Sequence, residues 1–221
     1  MRYEWDFGAV FAQAPLLLDG LLGTLRLAGT AIGLGVALGL VLALMRLSPR
    51  RLLRWPGTVF VEFYRNTPAL VHFFWFYFAM PVVLDISLTA FAAATLALAT
   101  QSGAFYAEVF RGGIRSLGTG QWEAGRALGM TEAAAMRRII LPQAMARMVA
   151  PFVERSFELL KTTSLASTLA YGDLLFRAAQ VNSITFRPLE TYTVLAGMYV
   201  LLLFTFSSGA AMAERRLTAF R

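Results

Sequence analysis

EAGRALGMTEAAAMRRIILP, residues 123–142, is polar and rich in arginine, yet it lies between runs that read as membrane spans. Strong helix formers fill the segment from Gln121 to Leu128, among them Glu123, Ala124, Arg126 and Ala127, and Gly129 follows as a C-terminal stop. Thr131 then stands where it would cap a second helix running toward Ile140. The spacing predicts two short helices joined at a glycine elbow. Small residues at Ala124 and Gly125, beside Trp122, would let a partner's surface approach the first helix closely. The alternative is an amphipathic helix resting on lipid headgroups, which Arg126, Arg137 and Arg138 would favour.

The chain as a whole is strongly apolar: 57% of its residues are hydrophobic and 15% are charged. Several runs approach the roughly 20 apolar residues that cross a bilayer. The pattern predicts an all-α membrane protein of five transmembrane helices, at about 21–47, 59–83, 88–110, 149–176 and 191–212, forming a single transmembrane domain over residues 1–221. Gly29-x3-Gly33 and Gly35-x3-Gly39 in the first span are spacings that permit close helix contact in lipid. Glu62, Arg65 and Pro68 interrupt the second span near its start, and Pro81 with Asp85 marks the turn after it. The first fifteen residues, MRYEWDFGAVFAQAP, lack the basic, apolar and small-residue regions of a signal peptide.

Orientation follows from the arginines, because short loops rich in Arg and Lys stay in the cytoplasm. Arg46, Arg50, Arg51 and Arg54 follow the first span. Arg111, Arg115, Arg126, Arg137, Arg138 and Arg147 lie between the third and fourth, and Arg215, Arg216 and Arg221 close the chain. The N-terminal segment carries Arg2 against Glu4, Asp6 and Asp19, and the loop between spans two and three has no basic residue. The N-terminus is therefore expected outside and the C-terminus inside, with a cytoplasmic loop at about 112–147. The net charge of +7 sits in these loops, where it reads as topology and not as a nucleic-acid footprint.

Several chemistries are excluded by composition. There is no cysteine for a disulfide, a thiolate metal site or a thiol nucleophile. A P-loop ends in Gly-Lys-Ser/Thr, whereas the only lysine, Lys161, follows Leu160. The chain therefore has no Walker-type ATPase site of its own, no cofactor is expected to bind it, and it reads as a non-enzyme. The single histidine, His72, lies among Phe73, Phe74 and Trp75 and is assigned no chemistry.

Charged and amide groups within spans normally face a pathway or each other. Glu62 and Arg65, three apart, could neutralise each other as a gate or packing pair. Glu154, Glu158 and Lys161 fall at i, i+4 and i+7 and continue into Thr162, Thr163 and Ser164. Such a stripe can line a solvated cavity. Lys161 could meet the carboxylate of a zwitterion and Glu158 its ammonium, or the two could simply pair with each other. On the third span Gln101, Ser102, Gly103 and Tyr106 offer a second polar face.

The loop and these motifs together resemble the permease subunits of polar amino acid ABC importers, of the histidine, glutamine, glutamate and arginine type. Glu123-Ala124, Gly129, Ile139, Leu141 and Pro142 match the EAA loop of such permeases, with Gly125 in place of its second alanine. Glu62-Phe63-Tyr64-Arg65-Asn66-Thr67-Pro68, Tyr106 to Ile114, Leu160-Lys161, Thr163 to Ser167, and Arg187-Pro188 with Glu190 and Tyr192 extend the likeness from about Gly20 to Arg216. The resemblance implies a type I ABC importer permease (MetI-like) architecture in the bacterial inner membrane, working by alternating access. It implies two ABC ATPase subunits that dock on Trp122, Glu123, Ala124, Gly125 and Gly129 and use ATP and magnesium. A second permease subunit and an extracytoplasmic amino acid-binding protein complete the expected assembly. Gln101 and Thr162 replace an asparagine and an aspartate often found in the family, and the missing acidic group favours an acidic or uncharged polar substrate. The rival readings are an ion-gradient-driven secondary transporter, which the docking loop and the lack of inverted repeats argue against, and a membrane scaffold, for which the polar stripe has no use.

If Gly129 ends the first loop helix in a left-handed conformation, a β-branched side chain there is strained by about 1 to 2 kcal/mol. The Gly129→Val protein is expected to insert normally yet lose ATPase binding or coupling. Substrate-stimulated ATP hydrolysis at the parent rate in a reconstituted complex would show the elbow to be dispensable.

Overall fold

A computed structural model describes the chain from residue 3 to residue 218, with side chains through residue 209. Arg2 and Arg221, which enter the orientation argument, lie outside the described residues, as do the side chains of Arg215 and Arg216. The described residues are helical: α1 (Phe7–Phe11), α2 (Ala14–Leu47), α3 (Arg51–Asn66), α4 (Ala69–Phe74), α5 (Met80–Leu84), α6 (Ala90–Arg115), α7 (Thr119–Ala127), α8 (Glu132–Ala135), α9 (Leu141–Thr162), α10 (Leu174–Thr185) and α11 (Pro188–Thr218). Wide π turns join α4 to α5 (Trp75–Ala79) and α8 to α9 (Met136–Ile140), and a 3-10 stretch (Thr163–Leu169) follows α9.

Two helices, Ala14–Leu47 and Pro188–Gly209, are each long and apolar enough to cross a bilayer. The expected second span is instead two segments, Arg51–Asn66 and Ala69–Leu84, bent by 109°. The cause is Pro68, which pushes Thr67 into extended backbone (φ −111°, ψ 136°) and so ends α3. The expected fourth span also differs. The helix ends at Thr162, and the 3-10 stretch beyond it closes on Ala170 in a left-handed conformation (φ 55°). A further helix, α10, follows, absent from the five-span reading. Asp173 caps it by accepting from the Phe176 N–H, and the fully buried Thr24 hydroxyl of α2 accepts from the Leu174 N–H. At the other end of α10, Arg187 donates to the Glu4 carbonyl, and buried Glu190 accepts from the Tyr3 hydroxyl and the Asp6 N–H, tying the N-terminal segment to the start of α11.

The core is the seam between α2 and α6. Leu27, Ala28 and Ala31 meet Ala93, Ala94, Ala97 and Leu98, with Phe73, Phe76, Leu159 and Leu160 closing the cluster. Between lipid-embedded helices, where hydrophobic drive is absent, dispersion at close range does the holding, and small residues shorten that range. A Cβ on Gly39 would lie 2.7 Å from the Tyr106 Cβ and 2.9 Å from the Gly103 carbonyl oxygen. The two glycine spacings of α2 thus part company: Gly35 and Gly39 face α6, whereas a Cβ on Gly29 or Gly33 would meet nothing within 4 Å.

That contrast is testable in one helix. Gly39→Ala should destabilise the protein by about 1–3 kcal/mol through overpacking, while Gly33→Ala should be neutral or mildly stabilising, by up to about 1 kcal/mol. Thermal midpoints in detergent read both, and equal midpoints would contradict the α2–α6 packing.

Candidate functional site

The site is built on α6 and on α9, which returns beside it after the loop. Gly113 lies against Met148, and Tyr106 stacks on Phe152 with ring centroids 4.9 Å apart, so residue numbers rise along α9 as they fall along α6. Further along this seam a cleft of about 460 Å³ opens, lined on one side by Leu98, Gln101, Ser102 and Phe105 and on the other by Arg155, Glu158, Lys161 and Thr162. Five of the sequence-selected polar residues, Gln101, Ser102, Glu158, Lys161 and Thr162, are thereby brought together. Gln101 also donates to the Thr67 carbonyl (3.4 Å), one of the acceptors left free where Pro68 breaks the helix.

Three expected lining residues stand elsewhere. Tyr106 is fully buried, its hydroxyl 2.9 Å from the Ser156 oxygen, because it fills the α6–α9 packing layer. Thr163 is fully buried and donates to the Leu160 carbonyl. Ser164 donates back to the Lys161 carbonyl in the 3-10 stretch and does not line the cleft. The expected stripe divides too, since Glu154 lines a second cleft nearer the loop.

Nor do Glu158 and Lys161 pair with each other. Glu158 is taken by Arg155 at 2.5 Å, and Lys161 makes no ion pair among the described residues. Arg155 is held ready for this contact by the Phe105 ring, whose centroid is 4.8 Å from its guanidinium carbon. The cleft therefore offers an ammonium free to meet an anion, a carboxylate already half-neutralised, and the amide and hydroxyl of Gln101 and Ser102. That set suits a small zwitterion.

Glu62 and Arg65 are not a closed pair. They are 4.0 Å apart at the rim of a network centred on Glu108, which meets Arg46 and Arg111 at 2.5 Å each and Arg65 at 4.0 Å. The network joins α2, α3 and α6 across a partly solvated surface, so its value lies in register more than in stability. Sequence reading missed Arg46, Glu108 and Arg111 as partners. Glu108 and Arg111 at i and i+3 on one helix were a usable signal; Arg46, distant in sequence, was not.

The loop's elbow has the expected chemistry. Gly129 has φ +71°, its N–H bonds the Arg126 carbonyl, and the Met130 N–H bonds that of Gly125, while the Thr131 hydroxyl accepts from the Ala134 N–H. Its second helix, however, does not stop near Ile140. Through the π turn, in which the Leu141 N–H reaches back to the Met136 carbonyl, it continues past Pro142 into α9. The widened turn accommodates a proline that brings no N–H. Gly125 also serves differently from expectation: it is buried, and a Cβ there would lie 3.1 Å from the Ala135 Cβ, so its smallness lets α7 fold onto α8. Trp122 packs in part on Leu117 and Ile140. Glu123 and Ala124 are exposed, and so is Leu128, at 76%, an apolar knob at the elbow that sequence reading treated only as a helix former.

Comparison with known proteins places the chain in a family and matches its fold. Residues 35–219 match the family model of the binding-protein-dependent transport system inner membrane component. The chain is 36% identical over 208 residues to the probable glutamine ABC transporter permease protein GlnM of Bacillus subtilis (strain 168), covering 94% of this chain and 96% of that one. It is 30% identical over 218 residues to the glutamine transport system permease protein GlnP of Escherichia coli (strain K12), covering 98% and 99%. Among solved structures, an amino acid ABC transporter crystallised with histidines matches at 34% identity with a TM-score of 0.91, over 97% of this chain and 100% of that one. The MetNI methionine ABC transporter in inward-facing conformations matches at 21% identity with a TM-score of 0.76, over 91% and 96%, a likeness of fold alone. A helical seam bearing a polar cleft, joined without a break to an exposed loop, is thus met in a chain that belongs to the binding-protein-dependent transport system inner membrane component family, the permease subunits of ABC importers.

Proposed function

We propose that this chain carries a polar amino acid across the bacterial inner membrane as the permease subunit of an ABC importer. The cleft carries the reading, because it sets a lysine with no ion pair among the described residues opposite an amide and a hydroxyl on helices that lead directly to the loop. Five crossings are assigned to α2, the bent α3–α5 segment, α6, α9 and α11, with the N-terminus outside and the C-terminus inside. The arginine distribution supports this orientation, with the loop at about 112–147 in the cytoplasm. Two ATPase subunits, using ATP and magnesium, grip the loop at Trp122, Glu123, Ala124 and Gly129, while buried Gly125 holds α7 against α8 beneath them and the exposed Leu128 adds an apolar contact. A second permease subunit completes the pathway, and an extracytoplasmic binding protein delivers the substrate.

Lys161 receives the substrate carboxylate. As a compact, flexible charge it can follow a moving anion, which a planar guanidinium fixed in two contacts does less well. The Glu158 carboxylate and the Gln101 carbonyl face the ammonium. Thr162 stands where an acidic side chain would favour a cationic substrate, which supports an acidic or uncharged polar amino acid. Alternating access follows when the ATPases close on the two loops and α9, continuous with the loop, shifts against α6.

Purified alone, the chain should hydrolyse no ATP, and it should co-purify with an ATP-binding subunit. In the reconstituted complex Lys161→Met is expected to leave assembly intact and weaken apparent substrate affinity by about 2 kcal/mol, or roughly 30-fold. The Glu158→Gln, Lys161→Met double variant should stay folded and assembled and transport no better than the single Lys161→Met variant. Near-normal uptake by it would remove this cleft from the transport path, and uptake that survives ATP depletion but collapses with the proton gradient would overturn the importer reading.

A further inference from the structure

The seam between α6 and α9 holds two clefts in series. The second, of about 410 Å³, is lined by Gly112, Ser116, Arg147, Pro151 and Glu154, all nearer the loop than the residues of the first. Phe105 and Arg155 are the two side chains that line both. From Leu98, at the far end of the first cleft, to Ser116, at the loop end of the second, α6 rises about 27 Å, close to the roughly 30 Å of a bilayer's hydrocarbon. The clefts in sequence thus measure about one membrane thickness, and the Phe105 ring stands at their junction.

The ring is gripped from two other helices. The Arg155 guanidinium carbon of α9 lies 4.8 Å from its centroid, and that of Arg65, at the end of α3, lies 5.8 Å away. Arg155 is anchored in turn by Glu158 at 2.5 Å, whereas Arg65 has only the looser attraction of Glu62 and Glu108, each 4.0 Å away. Phe105 itself is half-buried and offers no hydrogen-bonding group. A zwitterion leaving the first cleft would have to shed water against an apolar face, which is unfavourable while the ring stays in place. Contacts of a cation with a ring are individually weak, so a shift of α9 against α6 and α3 can release the ring without unfolding a helix. The loop is continuous with α9 and so acts directly on Arg155.

We propose that Phe105, held by Arg155 and Arg65, is the constriction that separates the substrate cleft from a loop-side vestibule. This rests on the transport reading above, and the test distinguishes the failure of one from the failure of the other. The chain has no cysteine, so a single reporter is its only thiol, and labelling is read on this chain after it is separated from its partners. Ala69→Cys reports on the first cleft and Gly112→Cys, where a Cβ meets nothing within 4 Å, on the second. The complete complex with its ATPase subunits, in proteoliposomes without nucleotide, is labelled from the loop side with a membrane-impermeant maleimide. Gly112→Cys should label readily and Ala69→Cys at least tenfold more slowly. Adding Phe105→Ala should bring the Ala69→Cys rate up to that of Gly112→Cys, whereas Phe105→Tyr should leave it slow. Arg155→Gln, which frees the ring but keeps it, should raise the rate to an intermediate value and serves as the deciding variant if Phe105→Ala fails to assemble. Equal labelling of both reporters in the parent, or slow labelling of Ala69→Cys in whichever of the two variants assembles, would overturn the constriction. Amino acid uptake by the parent complex is measured in parallel, and its absence would count against the transport reading alone.

Discussion

The close approach of α2 and α6 at Gly35, Gly39 and Gly103 is the contact from which the other arrangements follow. With no side chain between them, the two backbones come near enough for Tyr106 to be locked in place, and Tyr106 in turn fixes α9 through Phe152 and Ser156. A bundle in lipid cannot rely on water to drive its helices together. It relies on shape. One face of α6 is spent on α2 and on the Tyr106 layer, with Ser102 at its edge against Gly35, which leaves Gln101 and Phe105 as the side chains turned most fully to the cleft.

Mechanical continuity is the second constraint. An importer permease must turn an event at its cytoplasmic surface into a rearrangement within the membrane, and a flexible hinge between the two would waste the displacement. Here the segment from Glu132 to Thr162 is continuous helix, although Pro142 and Pro151 both lie within it. The same solution occurs at Pro81, where the turn Trp75–Ala79 precedes Met80 and Pro81 as Met136–Ile140 precedes Leu141 and Pro142. In each case a carbonyl that a proline would leave without an i+4 donor lies in a turn already widened. By contrast Pro68 ends its helix outright, because Thr67 before it is extended.

What could be read in the sequence was local chemistry. The elbow at Gly129, the cap at Thr131 and the membrane character of the chain follow from propensity, backbone sterics and transfer free energy, none of which needs a neighbour. The polar residues around Gln101 and Lys161 were legible as a group because burying them unpaired is expensive. Their division of labour was not. Whether Tyr106 faces a cavity or a packing layer depends on Phe152 and Ser156, and whether Glu158 turns to Lys161 or Arg155 depends on the Phe105 ring of another helix. Pro81 was read as a boundary and the second loop helix was expected to run only toward Ile140, since nothing in a linear pattern distinguishes a helix that stops from one that widens for a turn.

The widened turn at Met136–Ile140 has a consequence for how such a protein can change over time. A π turn holds one residue more than the α turn it replaces, and each residue of an α-helix advances the direction of its side chains by about 100°. That extra residue therefore sets the azimuth at which α7 and the exposed Leu128 project relative to the cleft-lining face of α9. Loss of one residue between 136 and 140 would restore ordinary helix and still insert, fold and span, but it would swing the elbow about a quarter of a turn away from whatever grips it. Substitutions along α9 can drift singly, whereas the length of this short segment fixes the direction of the whole elbow at once.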